Sequence, residues 1–169
     1  MNNSEIIINI IRFVVLVLVQ VILLNNINFL GFINPFIYLI FILIYPLNGN
    51  QTLLIFLSFL LGLCIDIFGD SGGVHAAACV FIAYIRPQVL KFSFGISYEY
   101  NMIKIQKSPL VERITYISLM VLLHHLVLFS IEIFSLSHIL LLLKSTLFSG
   151  IFSIVVIFCT LLLFSRKAE

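Results

Sequence analysis

The sequence predicts an all-α, polytopic membrane protein of about six transmembrane helices, and three observations predict it. Of 169 residues, 62% are hydrophobic and only 9% are charged, whereas about a quarter of a soluble domain is charged. The mean hydropathy is +1.24. The apolar residues also gather into long runs separated by polar or Gly/Pro punctuation. So few charges cannot cover a globule in water, and lipid becomes the expected solvent. A net charge of +2, without a basic cluster interleaved with aromatics, sets nucleic acid aside as a partner.

The runs lie near 6–24, 34–47, 52–68, 73–90, 114–133 and 139–164, in one transmembrane domain over 1–169. A helical span needs about 20 residues, so the second run is thin. Pro35 and Pro46 bracket it, and Asn34 is expected to cap a helix with Pro35 in its first position. Asn48-Gly49-Asn50-Gln51 then stops it. Arg12 interrupts the first run and no small-residue cleavage site follows, so that helix is expected to stay in the mature chain. Cys64, Cys79 and Cys159 lie far apart in apolar runs, without metal spacing, and read as small packing residues.

Lys and Arg counts set the expected orientation. With the N-terminus inside, the polar connection 91–113 (Lys91, Lys104, Lys107 and Arg113 against Glu99 and Glu112) and the Arg166-Lys167 tail fall on the cytoplasmic side. Arg12 and Arg86 are expected to snorkel the same way, beside a belt of Tyr45, Tyr84 and Tyr116. The opposite side receives Lys144 and the acidic turn with Asp70. Both termini are therefore expected in the cytoplasm.

Apolar surface does not drive helix association in lipid, so small residues that admit close approach are informative. Ser145, Ser149 and Ser153 recur every four residues on the last helix, with Gly150 beside them; Ser58, Gly62 and Asp66 do so on the third. Internal packing is the expectation for these faces. The serine stripe is the best candidate for a partner interface instead.

The most informative stretch runs from Gly62 through Asp66, Gly69, Asp70, Ser71, Gly72 and Gly73 to His75 and Ala76. A carboxylate within a span is costly and should hold a partner. The glycines turn the chain, Asp70 or Ser71 can cap the next helix, and that helix's N-terminus offers free N–H groups to Asp66. A structural carboxylate is expected. Gly69-Asp70-Ser71-Gly72-Gly73 also spells the nucleophile sequence of trypsin-like proteases, but that motif requires a soluble double β-barrel with upstream His and Asp, and here it is read as a turn. His124, His125 and Glu132 lie inside the fifth run. With Asp66, His75 and His138 they are the only material for a metal site or proton relay, yet their spacing matches no metal motif. No cofactor, metal or catalytic set is expected.

The run 59–83, with Gly62, Asp66, a turn at Gly69, Gly72 and Gly73, then His75-Ala76, resembles the MreD family of bacterial rod-shape machinery, as do chain length and span layout. The resemblance implies a noncatalytic, multi-pass scaffold in the bacterial cytoplasmic membrane. Its implied partners are an MreC-type bitopic protein, a RodA-type glycosyltransferase, a penicillin-binding transpeptidase and the MreB filament, in support of peptidoglycan synthesis and rod shape. It also implies a helix arrangement similar to the substrate-binding subunits of energy-coupling-factor transporters. The rival expectation is therefore a small-molecule-binding membrane subunit, with a polar-lined cavity toward the outer side, lined by Asp66, His75, Glu132 or His138. The resemblance assigns no role to His124 and His125.

Overall fold

The computed structural model describes residues 3–25, 27, 33–95, 105, 108–133 and 138–165. Glu99, Lys104, Lys107, Arg166 and Lys167, counted above for orientation, lie outside the described residues. The helices are α1 (Asn3–Val19), continued by a π-helical turn (Gln20–Leu24), α2 (Leu39–Leu43), α3 (Gln51–Gly69), α4 (Val74–Phe94), α5 (Leu110–Ile133) and α6 (Ile139–Ser165). Five helices are long and apolar enough to cross a membrane, α1 together with its π-helical turn being one. The chain is an all-α polytopic membrane protein.

The expected helix over 34–47 is corrected. Only Leu39–Leu43 coils as α-helix, because Pro35 and Pro46 hem the segment and Asn34, Pro35 and Phe36 take no regular structure. Asn34 does not cap a helix with Pro35 in its first position. The segment nevertheless carries the chain from one end of the bundle to the other. Asn34 lines a cavity with Asn25, Gly69 and Glu132, at the end where α1, α3 and α5 finish. Tyr45 lines a groove with Ile6, Asn9 and Leu53, where α1 and α3 begin. The start of α1 and the end of α6 therefore share one end of the bundle: Arg113, early in α5, stacks over Phe158 of α6 at 5.2 Å. We call this the terminus end, and the other the hairpin end.

A crossing that is not one continuous helix exposes backbone polar groups that lipid cannot satisfy, so it is tolerated only inside protein. The segment is buried accordingly: Phe36, Tyr38, Leu39, Ile42, Leu43 and Tyr45 all lie in the core. Its backbone groups bond to side chains of surrounding helices. Gln20 of the π-helical turn takes the Ile37 N–H on Oε1 at 2.9 Å and donates from Nε2 to the Pro35 carbonyl at 3.1 Å. Ser149 Oγ accepts from the Asn34 N–H at 3.3 Å, and Ser153 Oγ from the Phe36 N–H at 2.9 Å. At the terminus end, Arg86 Nη2 donates to the carbonyls of Tyr45, at 2.5 Å, and Leu43, at 3.4 Å. The Tyr116 hydroxyl donates to Leu43 O at 3.1 Å and accepts from Arg86 Nε at 3.0 Å.

Two further expectations change with this. Arg86 does not snorkel to an interface; it is 3% exposed. Its charge is spread over carbonyls and a phenol, the partners an intramembrane arginine needs. Tyr45 and Tyr116 are also buried, leaving Tyr84 as the exposed member of the expected belt. The serine stripe faces inward: Ser145, Ser149 and Ser153 are buried, and two of them hold the broken crossing. The connection 91–113 is shorter than expected, since α4 runs to Phe94 and α5 begins at Leu110.

Arg86→Met keeps the stem length but leaves the buried Tyr45 carbonyl without its donor and Leu43 O with Tyr116 alone, at about 1–3 kcal/mol for an unsatisfied group. The detergent-solubilised variant should melt well below wild type. An unchanged melting temperature would contradict the role given to Arg86.

Candidate functional site

The hairpin joining α3 to α4 is built around Asp66. Ser58, Gly62 and Asp66 share one face of α3, one turn apart. A Cβ at Gly62 would stand 2.4 Å from Ala76 Cα and 2.5 Å from Ala76 N, so only glycine lets the α4 backbone approach here. That approach places the Asp66 carboxylate, one turn later, against the first turn of α4. Asp66 Oδ2 accepts from the Ala76 N–H at 2.8 Å. Oδ1 accepts from the His75 N–H at 3.0 Å, the Ser71 hydroxyl at 2.6 Å and His75 Nδ1 at 3.0 Å. The carboxylate thus serves as the cap of α4 from across the hairpin.

The local capping differs from expectation. Asp70 does not cap α4. It is the left-handed residue that ends α3, at φ 49°, with its N–H on Asp66 O; Ser71 N–H reaches the same carbonyl at 3.2 Å. Ser71 contributes through Asp66 rather than by capping α4 directly. Gly73, at φ 96°, occupies the N-cap position of α4 and brings no side chain to it. Gly72 and Gly73 supply the positive φ that turns the chain. An aspartate donated by the preceding helix replaces the missing cap and also meets the positive end of the α4 dipole.

Because a carboxylate only accepts, the His75 proton facing Asp66 lies on Nδ1. In the neutral ring Nε2 carries the lone pair, and His75 lines the cavity at the hairpin end. That cavity, about 460 Å³, lies among the ends of α1, α3 and α5 and the start of α4. Glu132, exposed near the end of α5, lines it and has no hydrogen-bond partner or ion pair among the described residues. His75 and Glu132 line this cavity, while Asp66 lies behind His75 and, like His138, is not among the described lining residues. His138 directly precedes α6 there.

His124 and His125 are fully buried and point into the core instead. His125 Nδ1–H donates to Val121 O at 2.8 Å, leaving Nε2 to accept from Ser153 Oγ at 3.1 Å. Ser153 therefore links His125 to the Phe36 N–H. His124 Nε2 meets the Tyr38 hydroxyl at 3.0 Å, and Phe36 packs against both imidazoles. The histidine pair braces the broken crossing. Among the described residues no three of His, Cys, Asp and Glu converge as metal ligands.

Gln20 was not singled out from the sequence. Its signal is a lone amide inside an apolar run, five residues before Asn25, which it also bonds at 2.9 Å. Fold and hairpin together define the class: a multi-pass helical membrane protein. No family model, curated protein or solved structure matches the chain.

Gly62→Val should force α3 and α4 apart, with overpacking that costs about 1–3 kcal/mol and the loss of Asp66's hold on α4. A melting temperature in detergent within experimental error of wild type would contradict the close approach.

Proposed function

We propose that this chain is a noncatalytic scaffold of the bacterial cell-elongation machinery, in the cytoplasmic membrane with both termini inside, binding an MreC-type bitopic protein through transmembrane helix contacts. The observation that carries the reading is the Asp66 hairpin. Its glycines, its carboxylate and the following His75-Ala76 are the features by which the sequence resembles MreD, and they form one locked structural unit (Asp66 to Ala76 N–H, 2.8 Å). Arg12, Arg86 and Arg113 all lie toward the terminus end, which supports a cytoplasmic placement for that end.

A groove on the bundle surface supports docking of a partner helix. It is lined by Ile10, Phe13, Phe41, Leu57 and Leu60, with Asn9 and Tyr45 at its edge. Asn9 Nδ2 and the Tyr45 hydroxyl are buried without a hydrogen-bond partner among the described residues. The groove's apolar walls suit the small and apolar residues of another helix. The RodA-type glycosyltransferase, the penicillin-binding transpeptidase and the MreB filament belong to this reading as members of the same assembly.

The second reading is a small-molecule-binding membrane subunit of a transporter. It is favoured by the 460 Å³ cavity at the hairpin end, a size within the range of ligand sites, about 300–1,000 Å³.

Affinity purification from native membranes separates the two. Recovery of an MreC-type protein, with rounding of rod-shaped cells on depletion, is expected. Recovery of no cell-wall partner together with unchanged rod shape would sink the scaffold reading. Asp66→Leu should insert normally yet lose partner recovery, and full recovery in that variant would show the hairpin to be incidental.

A further inference from the structure

The cavity at the hairpin end has a chemistry of its own. On one wall the His75 imidazole is fixed by Asp66, which takes the Nδ1 proton at 3.0 Å. The ring is mostly enclosed, its side chain 12% exposed, and it packs edge-on against Phe36 at 5.4 Å between centroids. Among the described residues its Nε2 has no partner and is not sealed off, so the neutral ring offers the cavity an acceptor. Glu132 offers a second, a carboxylate without an ion-pair partner among the described residues. Among the described lining residues there is no lysine and no arginine, while Phe36, Phe68 and Phe129 present aromatic surface.

These features select a ligand by charge. With Asp66 behind His75 and Glu132 at the wall, an anion meets two carboxylates and no balancing cation. A neutral ligand leaves Glu132 unpaired. A protonated amine satisfies both acceptors: one N–H to Glu132, another to Nε2, with phenylalanine rings for its apolar body and for cation–π contact. Resting on the small-molecule reading above, we propose that the hairpin-end cavity binds a small organic ammonium with an apolar or aromatic body, anchored by Glu132 and the Nε2 of His75.

The full-length protein in lipid nanodiscs tests this with three probes that share one body: 2-phenylethylamine, 2-phenylethanol and phenylacetate. The amine should bind saturably and raise the melting temperature, while the alcohol and the acid do neither. Glu132→Gln alters an exposed side chain that bonds to no described residue, so the fold should persist, and amine affinity should fall about tenfold or more. Binding of the alcohol or the acid as tightly as the amine would overturn the ammonium class and leave the small-molecule reading standing. Binding of none of the three would overturn both. Unchanged amine affinity in the Glu132→Gln variant, with its melting temperature intact, would overturn the assignment of the anchor.

Discussion

The structure depends on one constraint: a length of backbone runs from one end of the membrane bundle to the other without being a continuous helix, and every polar group on it must find a partner inside the protein. In hydrocarbon an unsatisfied N–H or C=O costs several kcal/mol. Helices meet that demand within themselves. The segment from Asn34 to Tyr45 cannot, because Pro35 and the shortness of α2 leave the ladder incomplete. The bundle is arranged around it as a set of donors and acceptors, with Gln20 from one side, Ser149 and Ser153 from another, and Arg86 with Tyr116 at the terminus end.

This constraint gives a physical reason for polar residues that a membrane protein otherwise avoids. Arg86 within a span is stable because two carbonyls and a phenol surround it. The π-helical turn at Gln20–Leu24 widens α1 where the Gln20 amide is turned inward; such turns commonly mark sites where a side chain has a specific task. The Asp66 hairpin solves a related problem, since the α4 N-terminus carries free N–H groups and its own N-cap residue is a glycine. In both places a side chain from a neighbouring helix satisfies backbone that cannot satisfy itself. The two systems meet at Phe36, whose ring packs against His75 and whose N–H is held by Ser153.

Much of this was legible in the sequence. Low charge and apolar runs fixed the class, since nothing but lipid suits such a surface, and the glycine-Asp pattern located the hairpin because an intramembrane carboxylate must have a partner. What escaped was long-range. Nothing in 34–47 says that its backbone will be satisfied by residues more than a hundred positions away, as Phe36 is by Ser153. The four-residue period of Ser145, Ser149 and Ser153 marked a packing face without saying which helix would meet it. Arg86 read as a snorkelling charge because local sequence does not reveal Tyr45 and Leu43 O nearby. Asp70 read as a cap because capping propensity is local, whereas the approach at Gly62 that brings Asp66 to α4 is tertiary.

The most direct measurement is residue-resolved amide hydrogen exchange of the full-length protein in nanodiscs, read at Phe36 and Ile37. These amides belong to no helix yet are held by Ser153 Oγ and Gln20 Oε1, both at 2.9 Å. They should exchange as slowly as the buried amides of α3. Exchange at the rate of an open loop would show that the crossing is not held by its neighbours, and the account of the bundle built around it would be wrong.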